Sequence, residues 1–173
     1  MNKTVIIFTL FTALLLPLKA MAGAWSPLQV AIWHPAQIVP DDCNVYGLRI
    51  NLLYGKNQSV WGFDLGVANT TPSRVWGLQV GLMNGPGSLG GIGVGAINST
   101  NRADGLQAGI LSVAESRVNG AQISAIYNKS PAVNGLQVGL INSADQLKGL
   151  QIGLINVVRD SRFPFMPILH PGF

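Results

Sequence analysis

The residues that could do acid–base or metal chemistry are few and widely separated in this chain. His34 and His170 are the only histidines. Two acidic residues, Asp41 and Asp42, are adjacent, and the others occur singly at Asp64, Asp104, Glu115, Asp145 and Asp160. No two of these groups have a spacing that indicates paired catalytic carboxylates or a metal-ligand set. We therefore expect no catalytic site, no bound metal and no cofactor.

Hydroxyl and thiol groups give no stronger indication of an enzyme. Ser112 and Ser116 lack the context of a nucleophile elbow. Residues 85–90, Gly-Pro-Gly-Ser-Leu-Gly, match a dinucleotide-binding pattern, but no helix is predicted after them. Cys43 is the only cysteine, so no internal disulfide can form. We expect a small buried apolar side chain there, with an intermolecular bridge as the alternative.

The first 22 residues have the composition of a secretory signal peptide. Lys3 precedes an apolar run over residues 5–18, and Ala20-Met21-Ala22 forms a small-x-small cleavage sequence before Gly23. The run is shorter than the roughly 20 apolar residues of a transmembrane helix. The sequence therefore predicts export to the periplasm, outer membrane or cell surface, with a retained N-terminal anchor as the alternative.

The charge of the remaining chain excludes one class of partner. Two of the 11 basic residues lie in the predicted signal peptide, and the other nine are balanced against seven acidic residues. These basic residues are scattered along the chain and form no stripe, so we expect no nucleic-acid partner.

One short phrase dominates the chain, and residues 135–142, Gly-Leu-Gln-Val-Gly-Leu-Ile-Asn, are its best-preserved copy. Eight copies follow one another at spacings of 14 or 15 residues, which is typical of a tandem-repeat β protein. Their first residues are Gly47, Gly62, Gly77, Gly91, Gly105, Gly120, Gly135 and Gly149.

The phrase, numbered from its glycine, alternates with a period of two. Positions 2, 4 and 6 are apolar, position 3 is usually polar and position 5 is small or polar, which indicates a strand with one apolar face. We expect the apolar face to be sealed in the core and the amide-rich face to be exposed. Position 8 is Asn in five copies, Asn69, Asn84, Asn98, Asn142 and Asn156.

Two all-β architectures fit this repeat. In a β-solenoid, each copy makes one coil of 14–15 residues and like positions stack in parallel. In an antiparallel meander or barrel, the direction of each strand reverses, and mixed 14- and 15-residue spacings would exchange the two faces unless bulges corrected them. The solenoid is the first prediction and the antiparallel arrangement is the alternative.

Both ends of the array contain degraded copies of the phrase. Residues 27–34 align with the whole phrase, and residues 166–170 align with its second half. Pro167 falls within the second alignment, where proline favours an edge strand. The predicted organisation is a signal peptide at 1–22, an N-terminal cap at 23–46, the eight-repeat domain at 47–158 and a C-terminal cap at 159–173.

The tandem Gly-Leu-Gln-x-Gly-Leu-x-Asn phrase, behind a signal peptide and ahead of Phe-Pro-Phe-Met-Pro at 163–167, resembles bacterial surface-repeat proteins of spirochaetes and other diderm lineages. The resemblance covers roughly residues 25–173. It implies exported, envelope-associated proteins with no established activity. This chain differs in lacking a lipid-attachment cysteine directly after the predicted cleavage site.

The predicted function is that of an exported, non-enzymatic structural or interaction module of the cell envelope or surface. Its expected partner is a protein, a glycan or another envelope component, and membrane association fits the pattern. The alternative is a small integral outer-membrane β-barrel serving as a pore or scaffold. The expected interaction face contains Gln79, Gln107, Gln122, Gln137, Gln151, Trp61 and Trp76, of which the two tryptophans would stack in a solenoid.

Overall fold

The protein folds as a β-solenoid of about nine turns, in a computed structural model that describes residues 25–172. The predicted signal peptide lies outside the described residues. The strands are β1 (Trp25–Trp33), β2 (Ala36–Gln37), β3 (Asn44–Lys56), β4 (Ser59–Val138), β5 (Ile141–Val158) and β6 (Phe165–Gly172). The 80-residue β4 contains several successive coils that lie against one another.

Like positions of successive phrases are paired in parallel. Gly47 pairs with Gly62 between β3 and β4, and Gly135 pairs with Gly149 between β4 and β5. The N-terminal copy joins in the same register, with Gln29 opposite Arg49. The solenoid prediction is confirmed, and the alternative of an antiparallel meander or barrel is wrong.

Parallel stacking also explains how coils of 14 and 15 residues coexist. The pairing of β3 with β4 shifts register between Asn51 and Tyr54, and it is regular on both sides of that shift. An extra residue is therefore absorbed locally, as in a β-bulge, and the positions that face the interior are preserved.

The repeat glycines have a backbone conformation that other residues rarely adopt. All eight have φ between 124° and 143°. Because each coil lies directly on the preceding one, a Cβ atom at Gly120 would meet the carbonyl oxygen of Gly105. Glycine at position 1 is thus required by both the backbone angle and the close approach of neighbouring coils.

A stack of small and medium apolar side chains fills one part of the interior. These residues stand two before each repeat glycine, and they are buried at every coil. They are Val45, Val60, Val75, Leu89, Ala103, Val118, Val133 and Leu147. Since this stack contains no aromatic residue, the apolar core is narrow, and polar side chains occupy the rest of the interior.

The two ends differ in direction. β1 continues the parallel stack, and β2 folds back antiparallel onto it. At the other end β6 runs antiparallel to β5, with Leu169 opposite Ile152. The prediction that residues 166–170 repeat the second half of a coil is therefore wrong. β6 is the outermost strand at this end, and Pro167 and Pro171 remove two N–H donors from it, which disfavours further strand addition.

Residues 25–172 contain no helix that is long and apolar enough to cross a membrane.

The requirement for glycine at position 1 can be tested with a matched pair of substitutions. Gly120→Ala should lower the free energy of unfolding by at least about 1–3 kcal/mol, because alanine must adopt a strained φ. Gly85→Ala is the control, because Gly85 has no positive φ and a Cβ there would have only the oxygen of Asn69 nearby, at 3.8 Å. Urea unfolding followed by circular dichroism measures both. Equal midpoints for the two variants would contradict the stacking requirement.

Candidate interaction surface

The glutamines of position 3 lie inside the solenoid. Gln79, Gln107, Gln122, Gln137 and Gln151 are each at most 1% exposed. The prediction that they form an outward interaction face is therefore wrong. The apolar positions 2, 4 and 6, which were expected in the core, point outward instead.

A ladder of amide hydrogen bonds explains the burial of these glutamines. The Nε2 of Gln122 donates to the Oε1 of Gln107 at 2.9 Å, and Gln137 donates to Gln122 at 2.8 Å. Gln151 continues the series to Gln137 at 2.6 Å. Because an amide has both donors and an acceptor, identical amides one coil apart satisfy each other in the interior.

The asparagines of position 8 form a second ladder. The Nδ2 of Asn69 donates to Asn84 at 3.1 Å, and the Nδ2 of Asn84 donates to Asn98 at 3.0 Å. Each also donates to a backbone carbonyl in the next coil, for example from Asn84 to Val94 at 2.8 Å. The small position 5 makes room for them, since a Cβ at Gly81 would lie 2.6 Å from the Nδ2 of Asn69.

Coils that depart from the repeat carry paired changes, which restore a hydrogen bond at one site and fill space at another. Where Ser112 replaces the ladder asparagine, Ser124 replaces the small glycine of the next coil, and the two hydroxyl oxygens lie 2.8 Å apart. Where Gly93 interrupts the glutamine ladder, the larger Leu89 replaces the usual valine and would contact a Cβ on Gly93 at 3.0 Å. Ser112 is thus a ladder member.

A buried ion pair occupies position 3 of the first two repeats. Arg49 and Asp64 are both fully buried, and two bonds join the guanidinium to the carboxylate, at 2.7 Å from Nε and 2.6 Å from Nη2. Gln79 donates to the other side of Asp64 at 2.7 Å. This pair was not predicted, although the sequence contains its signal: opposite charges stand at the same position of successive copies, where parallel stacking makes them neighbours.

The flat apolar face is the surface formed by positions 2, 4 and 6 of nine coils. It contains the first, third and fifth residues after Pro27 and after each of the eight repeat glycines. All 27 side chains are apolar and none is buried. Leu52, Leu82 and Leu154 are more than 60% exposed. An apolar surface of this extent is larger than those that soluble monomers usually expose, and it indicates a contact site.

No charged side chain of the described region lies on the flat apolar face, although Asp104 and Lys148 stand in the row beside it. Most charged side chains stand in the segments that follow position 8 of each phrase, where Arg159 pairs with Asp145 at 2.9 Å. Arg102 pairs with Asp104 at 2.7 Å. The hydrogen bond from Arg102 is the main cause that lowers the pKa of Asp104, against a smaller opposing effect of burial, and the bond from Asn119 adds to the lowering. The solenoid is therefore amphipathic across its width.

A row of aromatic rings borders the flat apolar face near the N-terminal end. Tyr46 stacks on Trp61 with centroids 5.9 Å apart, and Trp61 stacks on Trp76 at 6.2 Å. The predicted stacking of the two tryptophans is confirmed. Gly90 ends the row, because a Cβ there would lie 2.9 Å from the ring of Trp76. The ring faces are occupied within the row, so the ring edges remain for a partner.

The two histidines lie at opposite ends of the strand order. His34 follows β1, with its ring 6.1 Å from that of Tyr54 in an edge contact. His170 is buried in β6, and its Nε2 lies 3.4 Å from the Oγ of Ser161. Burial lowers the pKa of His170, and a hydrogen bond with the backbone of Asn156 opposes this effect. Among the described residues, no group of three or more His, Cys, Asp or Glu could hold a metal ion.

Comparisons of the chain with protein-family models, with curated proteins and with solved structures find no match.

Because glutamines are buried and apolar side chains are exposed, replacing a glutamine by an apolar residue should destabilise the fold, and the reverse replacement should not. Gln122→Leu should lower the free energy of unfolding by about 1–3 kcal/mol, because it leaves buried amide groups of Gln107 and Gln137 without partners. The reverse exchange at an exposed position, Met83→Gln, should change it by less than about 0.5 kcal/mol. Urea unfolding compares the two variants. A stabilised Gln122→Leu protein would contradict the ladder.

Low pH should lower the stability of the C-terminal end of the solenoid, where His170 is buried. Because burial lowers the pKa of His170, the unfolded chain takes up a proton at higher pH than the folded chain, so the stabilising effect is lost as pH falls below about 6.5. The thermal midpoint of the wild-type chain should therefore fall more between pH 7.5 and pH 5 than that of His170→Gln. Identical pH profiles would show that His170 does not couple folding to protonation.

Proposed function

We propose that this chain is an exported, non-enzymatic structural or interaction module of the cell envelope or surface, and that the flat apolar face is its contact surface. The observation that carries the proposal is the inverted distribution of side chains. The side-chain amides of glutamine and asparagine bond to one another in the interior ladders, while leucine, isoleucine and valine point outward along nine coils. A typical monomer exposes apolar patches of only about 300–600 Å².

The partnerships of the polar residues support a role without catalysis. Arg49 and Asp64 bind each other and the ladder, Arg102 binds Asp104, and Ser112 binds Ser124. These groups have structural partners within the fold. The flat apolar face itself contains no donor, acceptor or charge on its side chains, so it suits contact and not group transfer.

The nature of the face also narrows the partner class. Glycans are recognised by combinations of polar groups and exposed aromatic ring faces, whereas here the ring faces of Trp61 and Trp76 are covered within the aromatic row. An apolar protein surface or the apolar part of a lipid layer complements the flat apolar face better, because it requires no desolvated polar group to be left unpaired.

Export rests on residues 1–22 and on the resemblance to surface-repeat proteins. The extended, rigid stack suits an envelope component that presents one long surface, since each coil repeats the same outward side chains. The proposed location is the periplasm, the outer membrane or the cell surface.

Fractionation tests the proposed location. The full chain, produced in a diderm bacterium, should be cleaved before Gly23 and recovered from the periplasmic or outer-membrane fraction. A matched chain without residues 2–22 should remain in the cytoplasm. Mass spectrometry of the N-terminus and immunoblotting of the fractions measure both. An uncleaved full chain in the cytoplasm would refute the proposed location.

A further inference from the structure

We propose that two copies of this chain dimerise through their flat apolar faces, with the two solenoid axes antiparallel. The partner named here deepens the proposed function and rests on the same surface. The dimer would be a sandwich of two parallel sheets, in which each sheet has its amide ladders on one side and the shared apolar layer on the other.

The sheet of the flat apolar face is covered on only one side. All-parallel sheets occur almost only where both faces are covered. In this chain the inner side of the sheet is covered by the rest of the coil, while Leu52, Leu82 and Leu154 on the outer side remain more than 60% exposed. A second layer is therefore expected in the assembled protein.

The area of the flat apolar face follows from the length and spacing of its strands. Strands of about five residues at about 3.3 Å each, stacked in nine coils at about 4.8 Å, make a rectangle of about 17 by 43 Å. Each copy would contribute about 700 Å², so the dimer would bury about 1,400 Å² in total, within the roughly 1,200–2,000 Å² of stable specific interfaces. One flat apolar face is thus large enough for a stable dimer.

The distribution of charge on and beside the flat apolar face favours an uncharged partner. The flat apolar face has no charged side chain, and the row beside it, immediately before the repeat glycines, mixes Trp76, Asp104, Asn119 and Lys148. A basic stripe that would attract anionic lipid headgroups is not present in that row. The best complement is another flat, uncharged apolar surface, and a second copy provides one.

The sizes of the side chains on the flat apolar face select the relative orientation of the two copies. The bulkiest side chain of the face is Phe63, and the smallest row contains Ala121 and Ala125, four coils further along. A twofold axis parallel to the strands, through the central coil that begins at Gly91, reverses the order of the coils in the second copy relative to the first. Phe63 then faces Ala121, and Val67 faces Ala125. A twofold axis along the solenoid would instead set Ala121 against Ala125 and leave a void, so the antiparallel arrangement packs better.

The mass of the mature chain in solution tests the dimer. Sedimentation velocity at micromolar concentration should give twice the mass of one chain. Val94→Lys places a charge on the central coil of the face and should give a monomer. Gln58→Lys adds the same charge at an exposed position between β3 and β4, away from the face, and should remain a dimer. Circular dichroism verifies that each variant is folded, and a monomeric wild-type chain overturns the proposal whatever the variants do.

Crosslinking tests the orientation. In a Cys43→Ala background, a chain with both Phe63→Cys and Ala121→Cys should form a covalent dimer with a short bismaleimide, and Phe63→Cys alone should not. Within one chain the two sites are separated by four coils, about 19 Å, so the reagent cannot join them intramolecularly. A wild-type dimer whose doubly substituted form does not crosslink would overturn the antiparallel arrangement.

Vesicle flotation separates this proposal from the proposed function. A wild-type monomer that floats with phosphatidylethanolamine–phosphatidylglycerol vesicles would overturn the dimer and leave an envelope role intact. A wild-type monomer that does not float also overturns the dimer. A dimer recovered only from the cytoplasm of the producing cell would support the dimer and refute the envelope role.

Discussion

Amide stacking between successive coils is the constraint on which this structure depends. In both ladders a buried amide bonds to the amide one coil away, at a spacing set by the hydrogen bonds of the parallel backbone. Gln122, for example, accepts from Gln137 and donates to Gln107. Identical residues at identical positions satisfy this requirement without further adjustment, which accounts physically for the repetition of the phrase.

The outward apolar positions and the small position 5 follow from an interior that is filled with amide side chains. Where the amides project inward, alternation along the strand sends positions 2, 4 and 6 outward. Glycine at position 5 leaves room for the asparagine ladder, and Arg49 and Asp64, at position 3 of the first two repeats, neutralise each other in the interior. The apolar outer surface is therefore a consequence of the polar ladders, and it is the surface through which an interaction role would be exercised.

Sequence reasoning could predict the parallel coils, the stacked asparagines and the paired tryptophans, because each depends only on like residues recurring in register. It assigned the two faces the wrong way round, since a period of two separates faces without saying which is inside. A usable signal was the valine two residues before each repeat glycine: Val118 and Gln122 are four residues apart and share one side of an extended strand. The reversal of β6 was not predictable from the likeness of residues 166–170 to the phrase, because that likeness carries no direction.

The most direct measurement of the inverted interior is the hydrogen exchange of side-chain amides by nuclear magnetic resonance. The ladder amides of Gln122 and Gln137 should exchange slowly, because they are buried and hydrogen-bonded in series. Gln58, which is exposed on the same chain, provides the internal reference and should exchange at a rate close to that of free glutamine. Exchange of the Gln122 and Gln137 amides as fast as that of Gln58 would contradict the account.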